Sequence, residues 1–388
     1  MADDVMPIRC SILRGGTSRG VFFLQEDLPT DRAAIEPILL DVFGSPDPRQ
    51  IDGLGGATSQ TSKVAIIGPA SRPDADIDYT FAQVSVSDPL IDWGGNCGNL
   101  SAAVGPFAID AGLVTATDPI TTVRIHNTNT AKVIVAQVPT HAGRSLLEGD
   151  YSIPGVPGTA ARILLEFTDP AGSISGRLLP TGRPIDTIPL AGGRMIEASI
   201  VDAANPVVFL RASDLGLAGT ELPAEIEARV DATAVLEEAR SVAAEWLGLV
   251  ADRAEATRRS PGLPKVGFVA PPADYVTTAG APVPADAFDL CGRLMSMQTA
   301  HRTYMSTGAI ATAVAALVPG TIVATAVRPA GERPIPGSIR IGHPYGIMEA
   351  VVRADLGTDP ITIYGVAIGR TARHILDGRV WVRRRAMP

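Results

Sequence analysis

One stretch of the chain has the residue types for acid–base chemistry: Asp92-Trp-Gly-Gly-Asn-Cys-Gly-Asn-Leu100. A single thiol, Cys97, sits among Gly94, Gly95 and Gly98, and mostly apolar residues follow as far as Val114. The pattern reads as a tight loop running straight into a helix. Apolar residues fall on every face of that helix (Leu100, Ala102, Ala103, Val104, Phe107, Ala108, Ile109, Leu113), so it is expected to be buried all round. The first turn of a helix leaves N–H groups unpaired at the positive end of its dipole. A thiol there has its thiolate stabilised, and the same N–H groups can hold a carboxylate. Asn96, Gly98 and Asn99 are therefore candidate ligands of an acidic substrate. The bland alternative is a small buried cysteine in a glycine turn. The flanking glycines weigh against it, because they let a substrate approach the backbone closely.

The elements that must position this loop come in two rounds. In the first, Pro7–Leu13 reads as a strand, Arg14–Gly20 as a glycine turn and Val21–Leu24 as a second strand. Arg32–Phe43 reads as a helix. The polar, glycine-rich stretch Asp52–Lys63 feeds the apolar strand Val64–Ile67, and Asp78–Val86 alternates as a strand. Thr121–Ile125 and Ala131–Val138 form a predicted hairpin about a turn at Asn127–Asn129. Residues 140–190, rich in Gly, Pro, Asp and Ser, read as a surface region that closes the first half. The second round repeats the first in order. Met195–Asp202 matches Pro7–Arg14, Val207–Leu215 matches Val21–Leu28, and a helix over Ala232–Gly248 follows. Lys265–Ala270 matches Lys63–Gly68, and Thr307–Val314 matches Cys97–Val104. The expected halves are residues 1–190 and 191–388, with the extreme C-terminus free to pack back on the first. Symmetric halves of this kind place a site between them, where two helix starts suit a substrate with several carboxylates. The symmetry is broken at one point: Thr307 stands where Cys97 stands. Cys291 lies too early to replace it, on Phe288–Met297, which reads as helix.

Composition narrows the function classes. A net charge of −8 over 388 residues argues against a nucleic-acid groove and an anionic membrane surface. No apolar run is long enough to span a bilayer, and the start of the chain lacks the basic and apolar regions of a signal peptide. Three distant cysteines (Cys10, Cys97, Cys291) and five scattered histidines show neither a disulfide framework nor metal-ligand spacing. The expected protein is soluble and cytoplasmic, with no structural metal. A homodimer is an open option.

Taken together, RGGTSRGVFF, SPDPRQIDGLGGATSQTSK and DWGGNCGNLSAAVG resemble the PrpF family, within the diaminopimelate-epimerase-like superfamily. The likeness continues through LPTG at Leu179–Gly182, KVGFVAPP, the MSTGA run at Met305–Ala309 and GHP at Gly342–Pro344, and so covers nearly the whole chain. Arg19 stands where the family pattern has lysine, which keeps the charge. The resemblance implies an α+β fold of two pseudo-symmetric β-barrel-like halves, each around a central helix, with the site in the cleft between. It implies cofactor-independent isomerisation of small unsaturated di- and tricarboxylates, with Lys63 and Cys97 as the proton-handling pair.

Such an isomerisation removes a proton from the carbon γ to a carboxylate and returns one elsewhere on the allyl unit. The dienolate intermediate needs preorganised donors. The starts of the two central helices offer them, at Gly98–Asn99 and along Met305, Ser306, Thr307 and Gly308. Gly16, Thr17 and Ser18, and the Ser59–Ser62 loop, add hydroxyl and N–H groups. Arg14, and less strongly Arg302, could clamp a carboxylate. Lys63 can act as base only when neutral, which burial or facing dipoles favour; otherwise it only balances a substrate charge. Each candidate also has a structural reading: Thr307 as a helix cap, Arg14 as a turn residue, Lys265, His301 and His343 as framework. The first choice of substrate is 2-methylaconitate, isomerised cis–trans, with 4-oxalomesaconate tautomerisation second. A racemase with two facing thiols is disfavoured by Thr307. A non-catalytic metabolite-binding accessory protein is the rival from another class.

Overall fold

The computed structural model describes residues 4–333, 335, 337–358 and 361–386. The outermost residues of both expected halves, 1–3 and 387–388, thus lie outside the described residues. The chain forms two compact units, residues 1–165 with 370–388, and residues 166–369.

The first unit opens with the antiparallel pair β1 (Val5–Gly15) and β2 (Ser18–Leu24). The outer helix α1 (Arg32–Phe43) follows, capped by the Asp31 side chain and ended by Gly44 in the left-handed region. β3 (Lys63–Pro69) runs parallel to β2, from Gly20↔Lys63 to Leu24↔Ile67. β4 (Ile77–Val84) pairs antiparallel with β3, and the short β5 (Ile91–Asp92) with β4. The central helix α2 spans Ser101–Asp110, and every residue from Ser101 to Ile109 is buried, as its all-round apolar pattern requires. It stops short of Val114: Gly112, at φ 76°, turns the chain out of the helix. The hairpin of β6 (Ile120–Asn127) and β7 (Lys132–His141), parallel to β4 through β6, and β8 (Arg144–Ser145) complete the wrap. α1 buries Ile35, Ile38, Leu39, Val42 and Phe43 against the outer face of this sheet, while α2 occupies the inner face. Because both faces are covered, β3 is buried along almost its whole length instead of alternating.

β9 (Ile163–Thr168) leads out of the first unit. β10 (Asp186–Pro189) and β11 (Met195–Ala203) are antiparallel, as are β11 and β12 (Asn205–Arg211). The outer helices are α3 (Pro223–Ala228), α4 (Val230–Trp246) and the single turn α5 (Ala256–Arg259). β13 (Lys265–Ala270) runs parallel to β12, from Val207↔Lys265 to Arg211↔Val269. A small hairpin of β14 (Tyr275–Val276) and β15 (Pro282–Val283) precedes β16 (Leu290–Ser296), which pairs with β13 and with β17 (Thr299–Ala300). The second central helix α6 (Ser306–Ala315) is buried throughout; the short α7 (Ile322–Ala326) follows. β18 (Ser338–His343), β19 (Gly346–Asp355) and β20 (Thr362–Arg370) close the unit, with β18 parallel to β16. Both units thus follow one succession of pairings: antiparallel, parallel, antiparallel, parallel, antiparallel. The repeat read from five short sequence blocks is a repeat of topology.

Three expectations are corrected. Phe288–Met297 contains a strand, β16, and no helix. All seven residues of β16 are buried between sheet neighbours, and that packing overrides the helix propensity of Leu, Arg and Met. Residues 140–190 are more than surface loop, since they hold β8, β9 and β10. The compact units divide at 165/166, where the sequence reading expects a division near residue 190, and within the second unit Asp202 in β11 binds the segment ahead of it. Its carboxylate accepts from the Ser173 hydroxyl at 2.6 Å and from the Ile174 and Ser175 N–H groups at 2.9 and 2.7 Å. The last strand, β21 (Ala372–Arg383), pairs with β1 from Val5↔Arg383 to Gly15↔Ala372 and so belongs to the first unit. No helix among the described residues is long and apolar enough to cross a membrane.

A buried phenol gives the fold a pH dependence. Burial pushes the Tyr275 hydroxyl up to about 12, against the opposing pull of Arg293. The unfolded chain loses this proton near pH 10 while the folded chain keeps it. The contribution is therefore full below pH 10 and is lost as pH rises through about 12. Denaturant midpoints measured on either side of pH 10 are expected to fall with rising pH, with a shallower slope in Tyr275→Phe. An unchanged slope in that variant would assign the loss to other groups.

Candidate active site

Cys97 serves as the cap of the turn that leads into α2. Its carbonyl accepts from the Ser101 N–H at 3.0 Å and its Sγ accepts from the Leu100 N–H at 3.4 Å. The Ala102 and Ala103 N–H groups bond to Asn99 and Leu100 carbonyls at 3.2 and 2.9 Å. The N–H groups of residues 100–103 are thus taken within the turn, so any carboxylate seat at this helix start must lie ahead of Leu100. Asn96 and Asn99 are buried; the Asn96 Oδ1 accepts from the Ser101 hydroxyl at 3.3 Å. The thiol itself is half-buried, whereas Cys10 and Cys291 are buried.

The turn between β1 and β2 is seated directly on this loop. A Cβ added to Gly15 would stand 2.6 Å from the Asn99 carbonyl oxygen and 2.8 Å from that of Leu100. A Cβ on Gly16, which has φ 51°, would overlap the Asn99 Oδ1. The same turn brings the buried Ser18 hydroxyl within 3.9 Å of the Cys97 thiol, which can donate to it. Arg14 is the tie of this turn. One guanidinium nitrogen donates to the carbonyls of Gly16 and Thr371, at 2.9 and 3.0 Å, and to the Thr371 hydroxyl at 3.1 Å. Burial, with Arg373 beside it, lowers the Arg14 pKa from its ordinary value.

Lys63 opens β3 opposite Gly20, two residues on from Ser18. Its side chain is buried, with Nζ donating to the Gln83 Oε1 at 2.6 Å and lying 5.3 Å from the centre of the Phe81 ring. Among the described residues no carboxylate lies within ion-pair distance of it. The loop ahead of Lys63 is braced by Gln50, whose Oε1 accepts from the Ala57 N–H and the Ser62 hydroxyl, both at 2.7 Å. Ser62 thus supports the loop through its hydroxyl, and Ser59 presents its carbonyl to Gln83. The Thr17 carbonyl receives the Gln60 side chain at 3.3 Å.

The strand β4 is expected from its alternation, but no side chain on it is singled out for the site by the sequence. Tyr79, Phe81 and Gln83 lie at alternate positions and so share one face. That face backs the site: Phe81 and Gln83 meet Lys63, while the Tyr79 hydroxyl is fully buried beside Cys97 and Ser101. Burial, then the neighbouring Cys97, pushes the Tyr79 hydroxyl well above its ordinary value. The signal in the sequence is a glutamine on the aromatic face of an alternating strand.

The second unit builds the corresponding corner with other groups. Asn205 opens β12 as Ser18 opens β2, and its Nδ2 donates to the Thr307 Oγ1 at 3.2 Å. Met305 precedes α6 in extended conformation; Ser306 and Thr307 are buried, and a Cβ on Gly308 would strike Leu294. Arg302 does not join this corner: more than half exposed, it pairs with Glu227 at 3.3 Å.

The model of the PrpF protein family matches residues 5–383. The chain belongs to the PrpF family. A 3-methylitaconate isomerase of Eubacterium barkeri is 46% identical over 382 residues, 98% of each chain. A 2-methyl-aconitate isomerase of Cupriavidus necator is 40% identical, over 97% of this chain and 96% of that one. The crystal structure of a methylitaconate-delta-isomerase superposes with a TM-score of 0.79 at 46% identity, covering 99% of this chain and 97% of that one. A hydroxyproline epimerase of Agrobacterium vitis, 14% identical with a TM-score of 0.55 over 97% of this chain and 92% of that one, shares the fold. The expected epimerase-like fold class is thereby met in this PrpF chain.

The three cysteines should differ in reactivity. Burial raises the pKa of the Cys10 and Cys291 thiols, and only Cys97 has both exposure and a capping N–H. Native alkylation with iodoacetamide, mapped by peptide mass spectrometry, is expected to mark Cys97 at least about tenfold faster than the others. Equal labelling of Cys10 or Cys291 would contradict this assignment.

Proposed function

We propose that this isomerase moves a double bond within a small unsaturated di- or tricarboxylate by removing and returning an allylic proton. The observation that carries the reading is the company of Lys63: a buried amine with no carboxylate partner among the described residues, on the strand that adjoins the Ser18–Cys97 contact. In its neutral form Lys63 takes the proton from the carbon γ to a substrate carboxylate, becoming an ammonium. The C–H electron pair passes through the double bond to the carboxylate oxygens, giving a dienolate. A proton then returns to the other end of the allyl unit, either from the lysine or from Cys97, whose thiolate in that case takes the lysine's extra proton, and the electron pair moves back into the new double bond. Atoms and charge balance without an external donor. Hydroxyl and N–H groups around Thr17, Ser18 and residues 96–99 supply the donors that a dienolate needs.

The substrate reading from the sequence is 2-methylaconitate. The 46% likeness to a 3-methylitaconate isomerase brings methylitaconate forward as the second reading, ahead of 4-oxalomesaconate. All three share an allylic C–H, a double bond and a carboxylate, so one assay covers them. Each acid, incubated in D₂O with the enzyme, is followed by NMR for deuterium entering its methyl or methylene group. One of the three is expected to exchange and isomerise; exchange in none would sink the reading. Lys63→Met is expected to abolish exchange, and normal turnover in that variant would remove Lys63 from the mechanism.

A further inference from the structure

The geometry points to Gln83 as the positioning residue of Lys63: a fixed neutral amide that aims the amine without holding it in its charged form. The inference rests on the isomerase reading for its functional meaning, but its structural content stands separately. The Gln83 Oε1 accepts from Nζ at 2.6 Å. Its Nε2 donates to the Ser62 carbonyl at 2.8 Å, with those of Ser59 and Val84 at 3.2 and 3.3 Å. An amide nitrogen can donate to carbonyls and a carbonyl oxygen cannot, so this network fixes which end of Gln83 faces the lysine. A flipped amide would set its oxygen against three carbonyls. Both residues are buried, so the arrangement lies out of reach of solvent reorganisation.

The consequence follows from hydrogen counting. A neutral amine has two N–H bonds and one lone pair. With one N–H directed to Gln83, the lone pair has a defined range of directions, which is what a base must have before a C–H bond can be attacked. A carboxylate in place of the amide would make the same hydrogen bond but would stabilise the ammonium by Coulomb attraction. The other charged or titratable groups of the surrounding elements have their own engagements. Asp92 on β5, paired with Gln83 across the strands, accepts from the Gly94 N–H at 2.7 Å. Asp78 on β4 holds Ser71 and His126. Arg19 on β2 lies against Gly56. Tyr79 and Cys97 lie beside one another at the α2 start. In the second unit, continuing the β13–β16 register by one step beyond Val266↔Met295 places Ser296 at the position of Gln83, so the long amide belongs to the Lys63 corner.

The test uses the fact that Lys63, Lys132 and Lys265 are the lysines of the chain, which lets lysine side-chain NMR resolve each one by subtraction with Lys63→Met. Wild-type protein, Gln83→Glu and Gln83→Leu are titrated, and their kcat and KM are measured against pH with whichever acid exchanges. In Gln83→Glu the Lys63 resonance and the limb of the kcat profile are expected to move together to higher pH, by at least about one pH unit. In Gln83→Leu kcat is expected to fall roughly 10- to 100-fold, with KM nearly unchanged and a normal thermal melt. Two outcomes overturn the proposal: an unmoved Lys63 titration in Gln83→Glu, or unimpaired kcat in folded Gln83→Leu. The NMR titration does not depend on turnover. A protein that isomerises nothing but shows the shift thus defeats the functional reading and keeps the Lys63–Gln83 coupling, while the reverse pattern defeats Gln83 alone.

Discussion

Everything at the Lys63 corner depends on one close approach of backbone to backbone. Gly15 and Gly16 lie so near Asn99 and Leu100 that a single added carbon on either would collide. With the turn seated there, Ser18 falls within reach of Cys97, Gly20 lines up with Lys63, and Gln83 across the next strand meets the lysine amine. The strand register then carries the geometry onward, because a slip of one residue would turn Lys63 and Gln83 to opposite faces. Position is therefore set by glycine, register and close packing. Chemistry is left to side chains at strand starts and in the helix-leading turn.

Those side chains have little part in holding the core together. One apolar cluster of the first unit is made by α1 and by strand residues such as Val21, Phe23, Val64 and Ile66, and α2 is buried separately along Ser101–Ile109. That explains how the second unit can keep the same sequence of pairings with other groups in the corner. There, Asn205 and Thr307 form the bond whose counterpart is Ser18 with Cys97. An amide–hydroxyl pair has no proton that it gives up readily, whereas a thiol at a helix start does.

This separation also explains what the sequence made legible. The repeat, the helix over Arg32–Phe43, the buried central helix after Cys97 and the glycine turns are local patterns of period, cap and breaker, and all appear where expected. What stayed hidden depends on distant partners. β16 resembles a helix until β13 and β17 are laid beside it. The return of the C-terminus to the first half is expected from the sequence, but the register of that last strand comes only from its pairing with β1. Tyr79 and Gln83 carry no motif, and Gln50, though it lies in the SPDPRQ run, is not marked there as a brace, since a buried polar residue is defined by what it touches. Cys97 could be named because a glycine-rich loop marks it, and Lys63 through the family resemblance; the residues that hold them could not.

The hidden residues matter most for the electrostatics. Desolvating an ammonium is costly, and proteins commonly offset that cost with a carboxylate, which would leave the lysine charged and unreactive as a base. At Lys63 the offset comes instead from neutral acceptors, an amide oxygen and an aromatic face, which compensate part of the desolvation and fix direction. A neutral acceptor at this position fixes the direction of the Lys63 amine without setting an opposite charge against it, and with no change in the backbone that carries it.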